Sequence, residues 1–389
     1  MADKNIIYNQ ELNRLQTPAS VAIADKVRML ATQGVKVAKM QTGEPCFNTP
    51  EYIVEGAYKA MRDGFTHYDS SQGLPALRKQ ISLWYEEEYL AKLSADDIVI
   101  TNGAIHGIFC VLAALLNRGD EVIVPKPCWP QYNYISLLFG ADVKNIDTIR
   151  NGGRLSPSDL EKNISGRTKV FILNNPCNPT GVVYSKEELN EFLRICLKNN
   201  VFLLADEVYS RVIYTNKFCS IFMTDEYCNA KDRIIYINSF SKTFAMTGWR
   251  VGYCVLPYSV GQKVLKVSQN SITNVSTFSQ HAAKVAIEHK DKNRAVFSEM
   301  NSLYRSRYAE LLRMLKEKKI EFIFPEGAFY FFIKNNASSG AFAEQLLETE
   351  RIAVVPGAAY GQACQDYYRI SFAVDEYSFS KFTGWLNAS

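Results

Sequence analysis

The stretch DIVITNGAIHGIFCVLAALL, residues 97–116, changes its character halfway along. DIVIT (97–101) is short, apolar and β-branched, as in a strand buried on both faces. GAIHGIFCVLAALL is long enough for a helix, and small residues mark the junction. The same change recurs downstream. EVIVP (121–125) leads into PQYNYISLLFG, and KVFIL (169–173) precedes SKEELNEFLRICLKNN, whose leucines and isoleucine fall at helical spacing. VFLLA (201–205), RIIYI (233–237) and RVGYCVL (250–256) read as further strands. Strand followed by helix, many times over, predicts an α/β fold with a mostly parallel central sheet covered by helices. From about residue 290 the pattern becomes one long helix (NRAVFSEMNSLYRSRYAELLRMLKEKK), then EFIF, AFYFFI and RIAVV, which predicts a smaller α+β domain. Three parts are expected: an N-terminal arm and segment, 1–45, packing with the small domain; a large domain, 46–289; and a small C-terminal domain, 290–389.

Composition sets the outer bounds. The 389 residues exceed one ordinary compact domain, and 47% hydrophobic with 22% charged is the balance of a globular protein with a large core. The net charge of +4 is the difference of 44 basic and 40 acidic residues mixed along the chain, without a basic block. Nucleic acid and membrane are therefore not expected as partners. The nine cysteines form no CxxC pair and lie in apolar stretches, which points to reduced thiols and the cytoplasm. MADKNIIYNQ does not read as a secretory leader, and no apolar run has transmembrane length. The histidines 67, 106, 281 and 289 have no metal-like spacing and are read as structural, so no metal site is expected.

In such sheets ligands gather at the loops leaving the carboxyl ends of the strands. Here those loops are TNGA, PKPCWPQY, NNPCNPTG, DEVY and NSFSK, and they hold the unusual residues. Asp206 ends an apolar strand, where it either caps the next turn or pairs with a buried cation, such as a protonated heterocyclic nitrogen. Lys242 is either a solvated lysine at a helix start or an amine with a depressed pKa, set among apolar groups near Arg250. Gly103 and Ala104 would let backbone amides approach an anion at a helix N-terminus, with Ser239, Ser241 and Arg250 as further phosphate contacts. No dinucleotide or Walker fingerprint is present. Asn178, held between two prolines, either belongs to a rigid turn or orients a ligand oxygen. Trp129 is either core or a platform for a flat ring.

Taken in order, these segments resemble the fold type I pyridoxal-phosphate enzymes, and within them the class I/II aminotransferases. The resemblance runs through GEPCFNTP (43–50), HYDSSQGLPALRKQI (67–81), TNGA (101–104), GDEVIVPKPCWPQY (119–132) and NNPCNPTG (174–181). It continues through ADEVYS (205–210), SFSKTFAMTGWRVGY (239–253), PEGAFYFF (325–332), VVPGAAYG (354–361) and YRISFA (368–373). It implies pyridoxal 5′-phosphate as cofactor, bound mainly by the 46–289 domain, and an amino group moved from an L-amino acid to a 2-oxo acid by a ping-pong Schiff-base mechanism. Lys242 is similar to the Schiff-base lysine that also acts as general base. Asp206 resembles the carboxylate at the pyridine nitrogen, Asn178 and Tyr209 the groups on the phenolic oxygen, and Trp129 the stacking ring. The backbone of Gly103, Ala104 and Ile105, with Ser239 and Arg250, resembles the phosphate cup. Tyr68 is similar to a tyrosine that reaches the neighbouring subunit's phosphate, which implies a homodimer. Arg369 resembles the clamp on the substrate α-carboxylate, and Gly43 the glycine lying against it. The resemblance departs at GEPCFNTP, where Cys46 and Asn48 replace acidic residues, and at Ile105, where related aspartate aminotransferases often carry a lysine for the distal carboxylate; His106 or a residue of the amino-terminal segment is the candidate replacement. β-Elimination, β-replacement or cyclisation on the same cofactor in a biosynthetic pathway is the alternative reaction. A regulatory domain of this family would carry a preceding DNA-binding segment; with GEPCFNTP beginning at 43, an enzyme is expected instead.

Overall fold

The computed structural model describes residues 10–15, 17, 19–215 and 218–388. The leader-free reading of the first ten residues lies outside them for residues 1–9. Thirteen strands form three sheets among the described residues. In chain order they are β1 (Ala38–Lys39), β2 (Ile98–Thr101), β3 (Glu121–Lys126), β4 (Asp142–Asp147), β5 (Thr168–Asn174), β6 (Phe202–Asp206) and β7 (Ile234–Ser239). They continue as β8 (Gly252–Val255), β9 (Phe322–Ile323), β10 (Tyr330–Lys334), β11 (Ile352–Ala353), β12 (Val355–Pro356) and β13 (Tyr367–Ser371).

The large sheet has the order β2-β8-β7-β6-β5-β3-β4, and β8 alone is antiparallel to its neighbours. β2, β6, β7 and β8 are almost wholly buried because helices cover both faces, which is why their sequences read as continuous apolar runs rather than alternating ones. β4, DVKNID, is different: it is an edge strand with one buried residue, and its polar sequence gave no apolar run to read. The helices Ala104–Leu115, Gln131–Leu138 and Lys186–Lys198 stand where the pattern placed them.

The small sheet, β12-β13-β10-β9, is antiparallel and packs beside the helix Lys290–Glu317. RIAVV, read as one strand, divides in two. Its first half, β11, pairs in parallel with β1; its second, β12, pairs with β13. One short run therefore ties the segment near residue 38 to the C-terminal sheet.

Register places the loops along one edge. Thr101 and Ser239 both lie opposite Gly252, while Asn174 lies opposite Asp206. Gly252 has no room for a side chain. A Cβ there would lie 2.7 Å from the Ala104 nitrogen, 2.7 Å from the Gly103 carbonyl carbon and 3.0 Å from the Asn238 oxygen, all backbone atoms that cannot swing away. Gly252→Ala is expected to cost about 1–3 kcal/mol of stability. Thermal unfolding of the purified variant checks this, and an unchanged melting temperature would contradict the packing described.

Candidate active site

A cavity of about 670 Å³ opens at the carboxyl edge of the large sheet, bounded on its far side by the small sheet. Asp206, Lys242, Trp129, Asn178, Tyr209, Ala104, Ile105, Ser239, Arg250, Arg369 and Gly43 all line it. Gly103 stands just behind this wall, where a Cβ would lie 2.5 Å from Arg250 Nη2. Its φ of 78° is open to glycine at little cost. Tyr68 is outside the cavity and 85% exposed. The structure thus brings together every residue singled out from the sequence except Tyr68.

Asp206 is 3% exposed at the end of β6. Tyr132 donates its hydroxyl to Oδ2 at 2.7 Å and the Val208 amide donates to Oδ1 at 3.2 Å. Burial nevertheless dominates and pushes the carboxyl up to about 6 from 3.8. Lys242 sits on the single turn Phe240–Thr243 after β7 and donates Nζ to the Gly43 carbonyl at 2.6 Å. Its amine is brought down to about 8 from 10.5, first by burial, then by the charges of Arg250 and Arg369, with Glu44 and Asp206 opposing. Both groups are thus pushed toward their neutral forms, mainly by loss of water.

The helix Ala104–Leu115 begins at this edge with no side chain capping its first turn, so its leading amides remain available to an anion. Arg250, itself at φ 57°, donates Nη1 to the Thr247 carbonyl at 2.8 Å. Ser239 accepts the Ser241 amide at 3.3 Å. Arg369, in the middle of the small sheet and 4% exposed, lies with its guanidinium 4.4 Å from the Tyr330 ring centroid. It donates to Asn178 Oδ1 at 3.3 Å and to the Gln41 carbonyl, while its buried Nε has no partner among the described residues.

Tyr132, Tyr330 and Tyr360 also line the cavity and were not singled out from the sequence. Tyr209 and Tyr330 share a hydrogen bond at 2.9 Å, and burial holds both phenols protonated. Tyr132 had a readable signal, since it lies three residues beyond Trp129 on the same strand-exit loop. Tyr330 and Tyr360 belonged to motifs, PEGAFYFF and VVPGAAYG, but tyrosine is too common here for composition to separate site from core.

Lys242, Arg250 and Arg369 face one cavity, and none has a carboxylate partner among the described residues. Arg369 is buried and Lys242 partly so, and unpaired charges there are costly unless a ligand brings anionic groups, whereas Arg250 stands exposed to water at the cavity. A phosphate beside Arg250 and the helix N-terminus, and a carboxylate at Arg369, satisfy that requirement. Asp206 and Lys242 complete the donor set for a protonated heterocycle bearing a carbonyl. The residues fit pyridoxal 5′-phosphate and the α-carboxylate of an amino acid.

The fold and site define an enzyme of amino-group chemistry on a phosphorylated pyridine cofactor. Residues 35–380 match the family "Aminotransferase class I and II". The aspartate aminotransferase of Thermotoga maritima is 35% identical over 368 residues, covering 94% of this chain and 95% of its own. The (5-formylfuran-3-yl)methyl phosphate transaminase of Methanocaldococcus jannaschii is 35% identical over 353 residues, covering 91% and 90%. The aspartate aminotransferase from Thermus thermophilus with maleate superposes with a TM-score of 0.93 at 30% identity, over 99% of this chain and 100% of that one. The chain belongs to the class I and II aminotransferases, and it is a pyridoxal-phosphate-dependent aminotransferase of fold type I.

The lowered pKa of Lys242 gives a direct test on cofactor-free protein. Competitive acetylation followed by peptide mass spectrometry is expected to show Lys242 gaining reactivity as pH rises through about 8, where the neutral amine appears. A midpoint near the ordinary 10.5 would contradict its burial.

Proposed function

We propose that the enzyme transfers the amino group of an L-amino acid to a 2-oxo acid, with the residues of this cavity in the following roles. The observation that carries the reading is Lys242, Arg250 and Arg369 unpaired in one cavity with the buried Asp206. Arg250, Ser239 and the amides of Gly103, Ala104 and Ile105 hold the cofactor's phosphate. Trp129 carries its ring, Asn178 and Tyr209 hold its phenolic oxygen, and Asp206 holds a proton on its ring nitrogen. When bound, the cofactor supplies a sink for the electron pair left at Cα. Arg369 fixes the substrate α-carboxylate in a bidentate pair, supported by Asn178 and the backbone of Gly43. Lys242 Nζ, neutral in an appreciable fraction near pH 8, would take the proton from the substrate Cα as general base and carry it as an ammonium group, ready to return it as general acid.

Donor choice falls to the cavity mouth. Ile105, 38% exposed there, offers no charge, and Val21 and Ala24 continue an apolar wall. A donor with a distal carboxylate would find its cation in Arg28 or Lys39, which also line the cavity. Names such as aspartate aminotransferase among the relatives make aspartate the first donor to test, against alanine and phenylalanine.

A homodimer with shared sites is part of the reading. Tyr58, Met61, Phe65 and Tyr68 form an exposed apolar strip on and after the helix Glu51–Arg62, which supports an interface that would carry Tyr68 to the neighbouring subunit's phosphate. Nine free cysteines support the cytoplasm, and biosynthesis of amino acids is the expected setting. No helix of the described residues is long and apolar enough to cross a membrane. The domain boundaries are proposed at 45/46 and 289/290, supported by the β1–β11 pairing and by the helix that starts at Lys290.

The wild type is expected to give parallel double-reciprocal plots and to release a 2-oxo acid without ammonia. Lys242→Ala is expected to lose at least about a thousandfold in transfer rate while still binding the cofactor. Ammonia released at a rate comparable to the 2-oxo acid would favour elimination, and a fully active Lys242→Ala would overturn the assignment.

A further inference from the structure

His106 is the third residue of the helix Ala104–Leu115, partly buried beneath the turn that opens it. Its Nδ1 lies 3.3 Å from the Asn102 amide nitrogen. Its Nε2 lies 3.1 Å from Ser271 Oγ, at the end of the helix Tyr258–Ser271, and 3.3 Å from Cys110 Sγ. Ser271 Oγ in turn donates to the Ser268 carbonyl at 3.1 Å.

The donors fix the proton order. A backbone amide can only donate, so Nδ1 must carry its lone pair. Ser271 spends its proton on Ser268, so it accepts from Nε2–H. His106 is therefore the neutral Nε2–H tautomer, and burial lowers its pKa in the direction that keeps it so. On its other side, Asn102 gives its carbonyl to Arg250 Nη2 at 3.4 Å. Both backbone groups of Asn102 are thus tied, one to an arginine of the cavity and one to the imidazole. Next to it Thr101 Oγ1 donates to the Gly103 carbonyl at 3.0 Å, and Gly103 turns the chain at φ 78°. This single turn sets where the uncapped amides of Ala104 and Ile105 lie relative to Arg250.

We infer that His106 is a positioning residue for the phosphate cradle: by accepting the Asn102 amide it locks the strand-to-helix turn against the helix Tyr258–Ser271. It touches neither cofactor nor substrate. The inference rests on the reading above that this turn binds the cofactor's phosphate. A histidine suits the task because one rigid ring presents an acceptor to the turn and a donor to the neighbouring helix. An asparagine amide oxygen can replace the Nδ1 acceptor; a leucine cannot.

The test compares ligands with and without the phosphate on cofactor-free protein, following tryptophan fluorescence. His106→Leu is expected to weaken binding of pyridoxal 5′-phosphate and of inorganic phosphate by about three- to tenfold, the size of one hydrogen bond. Binding of pyridoxal, which lacks the phosphate, is expected to stay unchanged. His106→Asn should recover most of the loss. Ser271→Ala, which frees the imidazole from its second tether, should show a smaller loss with the same selectivity. Equal weakening of pyridoxal and pyridoxal 5′-phosphate, or no weakening in any variant, would overturn the inference. Arg250→Ala separates the two claims. If it leaves the preference for the phosphorylated ligand intact, the cradle reading itself fails. If it removes that preference and His106→Leu does not, only the role of His106 falls.

Discussion

Asp206 is a carboxylate at the end of a strand whose other residues are phenylalanine, leucine and alanine, and the site depends on keeping it there. Water would stabilise its charge, yet the fold removes water and offers in exchange one phenol, one amide and the field of Lys242. These do not make up the deficit, so the group remains far from its ordinary behaviour. Lys242 is in the mirror-image position, with its amine pushed down by the same burial. Each strained group becomes comfortable when a ligand brings the complementary charge or proton. The cleft therefore favours an occupant that brings an anion and a protonated ring.

The parallel sheet is what makes this arrangement possible. Six of its seven strands point their carboxyl ends to one edge, and the register aligns Asn174 with Asp206 and both Thr101 and Ser239 with Gly252. Buried, almost featureless apolar strands thus act as rulers that set the positions of polar residues at their tips. The small antiparallel sheet contributes Arg369 from across the cleft, and the β1–β11 pair carries the segment with Gln41 and Gly43 to the same place. A tight packing point at Gly252 links the strand tips to the N-terminal turn of the helix Ala104–Leu115.

Much of this was legible in the sequence because burial on two faces erases polar residues, leaving runs such as VFLLA and RIIYI that stand out. Asp206 was legible for the same reason, being a charge directly after such a run, and Lys242 was legible on the exit loop NSFSK that follows RIIYI. β4 was not, because an edge strand keeps its polar residues and lacks the contrast. The division of RIAVV into β11 and β12 was not legible either, since pairing partners far away in the chain decide it. Tyr132 and Tyr330 show a further limit. A tyrosine in the core and a tyrosine holding Asp206 or facing Arg369 have the same local sequence requirements, and only the three-dimensional neighbours separate them. His106 was read as structural from its lack of metal spacing; what gives it a task is its distance from the Asn102 amide, which no spacing rule encodes.

The central claim is that the site keeps a buried carboxylate at a cost to the folded chain. Because the folded pKa of Asp206 lies near 6, above the ordinary 3.8, its favourable contribution is complete below 3.8 and is lost as pH rises through about 6. Asp206→Asn removes the charge and keeps one acceptor oxygen, enough for Tyr132 or the Val208 amide but not both, so the variant carries a pH-independent offset. Melting temperatures of the cofactor-free proteins, compared from pH 4 to pH 8, isolate the pH-dependent part. Between those limits the balance should move in favour of the variant by about 3 kcal/mol. A difference between the two proteins that does not change with pH, or one that moves in favour of the wild type as pH rises, would contradict the account.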